Sequence, residues 1–289
     1  MRMINLKKII KILSVMLIAA CIFAGMIFYG TFVSVKRVNI VNQTVISNKI
    51  PDECNNLKIA LISDIHYNSF MDKERLSAMI EKINQASPDI ILFAGDLFDK
   101  PDQIPVNDAV REELIQLLKT LEAPYGKFAV LGESDHASRQ LEEGMQNIFY
   151  YADFELLNNT SVLLHKDSTH SINLIGIDSQ IGGKPDINKA MENIDTNNFT
   201  IVLTHAPDLA GSLPLNNIDL VVAGHSHGGQ IALPMFGPLF RKDGARKYTH
   251  GTTTVNNTVI IVGNGLGTTD FDIRLFAPPQ CIMIRLTNK

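Results

Sequence analysis

The chain has 289 residues, a formal net charge of −4, and is 45% hydrophobic and 19% charged. Those values exclude a disordered or fibrous chain and suit one large domain, or two small ones, with a buried core. The acidic balance argues against a broad nucleic-acid surface, which needs a basic field, so no nucleic-acid partner is expected.

Residues 12–35 carry no charge. A bilayer-spanning helix needs about 20 mostly apolar residues, so residues 1–36 read as a short stub and a transmembrane anchor. Arg2, Lys7, Lys8 and Lys11 precede the apolar run, and Lys36 and Arg37 follow it. The positive-inside rule then predicts a single-pass protein of the cell membrane, N-terminus in the cytoplasm and the rest on the extracytoplasmic side. Two alternatives stay open. A cleaved signal peptide has an apolar core of only about 7–15 residues, and Ile18-Ala19-Ala20-Cys21 resembles a lipoprotein cleavage box although the run continues to Val33. With Cys21 in that run, Cys54 and Cys281 leave one possible pair, which is neither a disulfide framework nor a zinc knuckle.

Residues 37–56 read as a juxtamembrane linker holding at most one strand, and residues 57–289 as the folded domain. "LKIALIS" (57–63) is a buried-strand pattern, followed by helical spacing at Leu76, Met79, Ile80 and Ile83. "DIILFAG" (89–95) is the next strand, Leu114, Leu117, Leu118 and Leu121 mark the next helix, and "KFAVLG" (127–132) a third strand. This alternation predicts parallel pairing. The second half is richer in strands: 171–177, 199–205, 218–224, 252–263 and 280–286, with Asn256-Asn257 as a hairpin turn. His165 and His170 flank a polar turn at 166–169, and His250 sits in a basic loop; all three read as solvated. The inventory predicts an α/β fold of two facing mixed β-sheets flanked by helices, and a monomer.

The polar residues gather at the strand ends. The strands are followed in turn by Asp64 and His66, by Asp96 and Asp99, by Glu133, by His205, and by His225 and His227. Each lies at the C-terminal end of an apolar strand, the edge where α/β folds build their sites. Any one of them has an innocent reading as a cap or a surface residue. Together, carboxylates mixed with imidazoles suit Mn, Fe or Zn better than a thiolate site.

These motifs, Asp64-x-His66, Gly95-Asp96-x-x-Asp99, His205 and Gly224-His225-x-His227, resemble the calcineurin-like metallophosphoesterases across residues 57–287. "GHSHGGQIALPMFGPL" (224–239) and "GLGTTDFDIRLFAPPQ" (265–280) are similar to the membrane-anchored bacterial branch, which includes phosphodiesterases and relatives of UDP-2,3-diacylglucosamine hydrolases. The resemblance implies an αββα sandwich and two divalent metal ions. Asp64, His66, Asp96 and His227 would hold one, and Asp96, Glu133, His205 and His225 the other, with Asp96 bridging. Such a pair can clamp the attacking and leaving oxygens of an in-line displacement at phosphorus, and can bring a bound water from a pKa of about 15.7 towards about 7, giving hydroxide at neutral pH. The glycines beside the ligands, Gly95, Gly132 and Gly224, would let the backbone turn sharply and approach the metals.

One stretch departs from the family. Where Gly-Asn-His-Asp is usual, this chain has Gly132-Glu133-Ser134-Asp135, then His136. Glu133 still offers an oxygen ligand. Ser134 cannot supply a proton near pH 7 as histidine can, and general acid–base help is worth roughly 10²- to 10⁴-fold. His136 is the candidate substitute. The expected function is therefore hydrolysis of a phosphodiester or pyrophosphate, with a phosphorylated small molecule or lipid of the envelope as substrate. The alternative is a catalytically impaired metal-binding module that binds or senses phosphorylated envelope material. Ile231, Leu233, Met235, Phe236, Leu239 and Phe240, with Arg241 and Lys242 behind them, read either as a loop that meets lipid and its headgroups or as a packed core hairpin.

Overall fold

The computed structural model describes residues 6–101, 106–166 and 169–289. Arg2 of the topology argument and positions 167–168 of the polar turn lie outside them. Helix α1 (Leu6–Phe32) is long and apolar enough to cross a membrane, and Gly30 is its one buried residue. Strand β1 (Asn39–Ile46) follows, so the strand allowed for in segment 37–56 forms. Next come β2 (Lys58–Ile62), α2 (Lys73–Gln85), β3 (Ile90–Phe93), α3 (Asp108–Lys119), β4 (Lys127–Ala129), α4 (Arg139–Tyr151) and β5 (Glu155–Leu156). The second half runs β6 (Thr160–His165), β7 (Ser171–Gly176), the short α5 (Ile187–Ala190), β8 (Phe199–Leu203), β9 (Leu220–Ala223), β10 (Ala232–Leu233), β11 (Gly237–Pro238), β12 (Gly251–Val255), β13 (Thr258–Val262) and β14 (Gln280–Thr287).

Two six-stranded sheets result, in the orders β1-β14-β2-β3-β4-β5 and β12-β13-β9-β8-β7-β6. The alternation of side chains along a strand explains the layering. Ile59, Leu61, Ile90 and Leu92 point between the sheets and meet Ile172, Leu174, Ile201, Leu203, Leu220 and Val222. Their neighbours Ala60, Ile62, Ile91 and Phe93 face the other way, against Leu76, Met79, Leu114, Leu118, Met145 and Phe149 of α2, α3 and α4. Val202, Val221 and Ile260 face the outer side of the second sheet, against Ala190, Leu209 and Leu213. The fold is the expected sandwich of two sheets between helices.

β2, β3 and β4 are mutually parallel, as are β7, β8, β9 and β13, so the ligand-bearing ends lie on one edge. β12 and β13 form the expected hairpin, turning at Asn256 and Asn257 with positive φ. The strands stop earlier than their apolar runs: β3 ends at Phe93 and β4 at Ala129, while Ala94, Val130 and Leu131 beyond them stay buried. Helix α4 was not expected. It starts on a Ser138 side chain that accepts from the Leu141 N–H, and it buries Leu141, Met145, Ile148 and Phe149.

Candidate metal centre

Six of the seven expected ligands converge in two groups. Asp64, His66 and His227 form one, and Asp96, His205 and His225 the other; all six are buried. His66 Nε2 lies 3.1 Å from His227 Nε2, and His225 Nδ1 lies 3.0 Å from His205 Nε2. Asp96 Oδ2 stands between the groups, 3.5 Å from His66 Nε2 and 3.4 Å from His205 Nε2. That oxygen is buried and accepts no hydrogen bond, whereas Oδ1 accepts from the Ser134 N–H at 2.9 Å. A buried carboxylate oxygen without a donor costs free energy unless something positive meets it. The donor set therefore fits two cations with Asp96 between them.

The backbone is bent to make this possible. Asp64, His66, Asp96, His225 and His227 all have φ between +49° and +68°. Left-handed conformations are uncommon for non-glycine residues, and concentrate at sites where the surrounding structure over-determines them. Gly132 shows why a glycine is needed: a Cβ there would collide with the Asp96 carboxylate. Asp135 locks the same corner. Its carboxylate accepts from the N–H groups of Asp96, Leu97 and Gly132, each at 2.9 Å. Burial and the neighbouring Asp96 push its pKa up to about 6.

Tautomers are set from outside the centre. His205 Nδ1 donates to the Ala94 carbonyl at 2.6 Å, and His225 Nε2 donates to the Asp243 carbonyl at 2.7 Å. Each leaves its other nitrogen facing the cluster. Asp99 lies 3.6 Å from His66 Nδ1. Arg274, fully buried behind His227, donates to the carbonyls of Asn264, Gly267, Ala277 and His227.

Burial holds His66 and His227 below the ordinary imidazole value, and burial with the His205 charge brings His225 to about 4. Burial also works against charge on His205, but the Asp96 carboxylate overrides it and pushes His205 up to about 10. Burial likewise works to raise Asp96, and His205 outweighs it, holding Asp96 well below the usual range. Three imidazoles thus offer free lone pairs, and the fourth carries a proton that an entering cation would displace.

Glu133, the seventh expected ligand, lines the same cavity of about 590 Å³ without joining either group of three. Its Oε1 lies 3.8 Å from Lys242 Nζ. Burial and Asp96 raise its pKa. Ser134 lines the cavity too, with a buried hydroxyl that makes no hydrogen bond. His136 is not brought there. Its ring is held by Asp178, 2.7 Å from Nε2, and by Glu142, 3.5 Å from Nδ1. Lys242 and Arg274 were missed as site residues. The first was noted as half of a basic pair, and the signal for the second is a lone arginine between Ile273 and the apolar pair Leu275-Phe276.

A second cavity of about 470 Å³ adjoins the first and shares Lys242, Thr269 and Asp270 with it. Ile231, Phe240, Phe271 and Ile273 make it apolar.

The description of the calcineurin-like phosphoesterases matches residues 57–229. The chain belongs to that family of metallophosphoesterases. It is 30% identical over 260 residues to the uncharacterized metallophosphoesterase YkuE of Bacillus subtilis, covering 90% of this chain and 89% of that one. It is 26% identical over 309 residues to the UDP-2,3-diacylglucosamine pyrophosphatase LpxG of Chlamydia muridarum, covering 85% of this chain and 89% of that one. It is also 26% identical over 225 residues to a transmembrane protein with metallophosphoesterase domain of Danio rerio, covering 74% of this chain and 50% of that one.

Proposed function

We propose that this protein is a membrane-anchored dinuclear phosphoesterase that hydrolyses a phosphodiester or pyrophosphate bond in a lipid or envelope precursor. The observation that carries the reading is the unpartnered Oδ2 of Asp96 between two buried clusters of carboxylate and imidazole. Asp64, His66 and His227 would hold one cation and Asp96, His205 and His225 the other, with Asp96 shared. Two divalent cations supply positive charge to phosphoryl oxygens and make water acidic enough to attack near neutral pH.

The chain's own residues do the rest. The Ala94 and Asp243 carbonyls hold His205 and His225 in the tautomers that face the centre. Lys242, at the mouth of the cavity, adds a positive charge for a phosphoryl oxygen. Without an imidazole at position 134 or 136 facing the cavity, the leaving group departs with little acid help. That favours leaving groups that are stable anions, such as a phosphate of a pyrophosphate. The apolar cavity beside Lys242 suits an acyl chain, and LpxG acts on a diacylated sugar nucleotide. The charge asymmetry about α1 supports an extracytoplasmic active site.

A second reading is favoured by one observation. Glu133 pairs with Lys242 and stands outside both groups of three, as expected of an impaired module that holds metal and binds phosphate without cleaving it. The assay that separates the readings uses the full chain in detergent, loaded with manganese, on bis-p-nitrophenyl phosphate beside an Asp96→Asn control. Metal-dependent turnover that the control lacks supports the hydrolase. Tight binding of metal without cleavage of so good a leaving group rejects it.

A further inference from the structure

The end of α1 is joined to the domain at Gly30. Gly30 is buried, whereas the other residues of α1 are exposed or half-exposed. A Cβ on it would lie 2.8 Å from Leu275 and 3.1 Å from Ile273. The Arg274 N–H donates to the Gly30 carbonyl at 3.1 Å, and Ser34 and Val35 just beyond are buried. The strip at 273–276 in turn carries the hairpin β10–β11. Leu275 N–H donates to Gln230, Ala232 N–H donates to Leu275, and Ile231 bridges to Leu275 and Phe276.

That hairpin is apolar and uncovered. Met235 is 99% exposed, Phe236 79%, Phe240 71%, and the nearby Phe271 73%. Phe276 and Leu239 are exposed as well. A cluster of this kind marks an interaction surface rather than ordinary scatter. Lys36 and Arg37, a few residues past α1, and Arg241, just past the hairpin, are exposed basic residues.

We infer that the domain lies face-down on the leaflet from which α1 emerges, with the hairpin tip, Phe240, Phe271 and Phe276 immersed in it. The partner is the lipid bilayer. Its continuity with α1 argues for this: a helix that crosses the membrane, docked through Gly30 on residues 273–275, holds the attached aromatic rim at the membrane surface. Such side chains settle at the headgroup and acyl boundary, and basic residues meet anionic headgroups. The apolar cavity lined by Ile231, Phe240, Phe271 and Ile273 then opens towards lipid rather than water.

The chain contains no tryptophan, so single-tryptophan variants report without background. The full chain is reconstituted in phosphatidylethanolamine and phosphatidylglycerol vesicles, with and without brominated acyl chains, as Phe236→Trp, Phe271→Trp or Tyr150→Trp. Tyr150 is exposed on α4 and serves as the control. The expected result is blue-shifted emission and several-fold stronger quenching by brominated lipid at positions 236 and 271 than at 150. Equal quenching at all three positions, or none at 236 and 271, overturns the inference. These positions are exposed aromatics, so the exchange leaves the core untouched. The readout needs neither metal nor turnover. Its failure leaves the hydrolase reading standing, and failed hydrolysis leaves this one standing.

Discussion

Lys242 and Glu133 pair on the wall of the cavity at the candidate metal centre, with Nζ and Oε1 3.8 Å apart and about a third of each side chain exposed. A partly exposed pair of this kind contributes only about 0–1 kcal/mol to stability. Its importance is for what enters the cavity. Lys242 also acts on the charge states of His66, His225 and His227, all of which it helps to keep neutral. Lys242→Ala should leave the melting temperature nearly unchanged and lower kcat/KM for a diester by on the order of 10²-fold, the cost of removing one positive group from developing phosphoryl charge. Lys242→Arg should recover most of that. Glu133→Gln should keep two metals per chain, since six other ligands define the clusters. Elemental analysis beside steady-state kinetics checks both halves, and loss of one metal in Glu133→Gln would make Glu133 a ligand after all.

His136 and Asp178 form a buried pair whose effect should appear in stability rather than rate. Burial opposes charge on His136, but Asp178 and Glu142 together more than offset it and its pKa rises; burial works to raise Asp178, and His136 with the Lys184 and Ser179 N–H groups outweighs it and lowers Asp178. A raised histidine contributes fully below its unfolded value of about 6.5 and loses the contribution as pH climbs through the folded value. A lowered aspartate contributes above about 3.9 and loses it as pH falls through the folded value. The pair is therefore strongest between about pH 4 and 6.5. His136→Gln should cost about 1.5–3 kcal/mol at pH 6, the worth of a hydrogen bond to a charged group, and less at pH 8. Its kcat should stay within a few-fold of the parent. Thermal melts across that range, beside rates on one substrate, test it. A large fall in kcat with an unchanged melt would return His136 to the catalytic role.

The two candidate ligand clusters were legible because their residues follow short apolar runs, and both residue type and position survive in the sequence. The sheets were legible for the same reason. Helix α4 was not read, although Leu141, Met145, Ile148 and Phe149 recur at helical spacing, because its polar remainder dilutes the pattern. The destination of His136 was hidden because its partner Asp178 lies 42 residues away and only the fold brings them together. The positive φ of Asp64, His66, Asp96, His225 and His227 leaves no trace in composition, since these residue types are chosen for their chemistry and the strain follows from the sites they occupy.

Arg274 joins α1 to the candidate metal centre. Its backbone N–H holds Gly30 of α1, and its guanidinium holds the carbonyl of His227. A fork of donors on the carbonyls of His227, Asn264, Gly265, Gly267 and Ala277 in a fully buried site is something lysine cannot reproduce. Arg274→Met should therefore cost at least about 3 kcal/mol, because several buried carbonyls lose their donor at roughly 1–3 kcal/mol each. Arg274→Lys should fall between. Metal content should drop with it, through His227. Denaturation melts with and without manganese read both effects. An Arg274→Met protein with parental stability would show that water replaces the guanidinium.

Ser134 is the departure with the clearest chemical consequence. Its hydroxyl is buried, unpartnered and on the wall of the metal cavity, and its N–H holds Asp96. Ser134→His keeps the backbone contact and places an imidazole on the part of the cavity wall that now carries a hydroxyl. A histidine near its ordinary pKa can protonate a departing oxygen at pH 7. The gain should depend on the leaving group. For an alkyl or phenyl ester, whose oxygen needs a proton, the rate should rise by roughly 10²-fold or more. For p-nitrophenyl esters, whose anion is already stable, it should change little. A new limb near pH 6–7 should appear in the rate profile of the poor substrate, matching imidazole titration. If both substrates speed up equally, the imidazole is acting on binding or on the nucleophile. If neither does, the leaving group departs on another side of the cavity, and Lys242 becomes the group to examine for that proton.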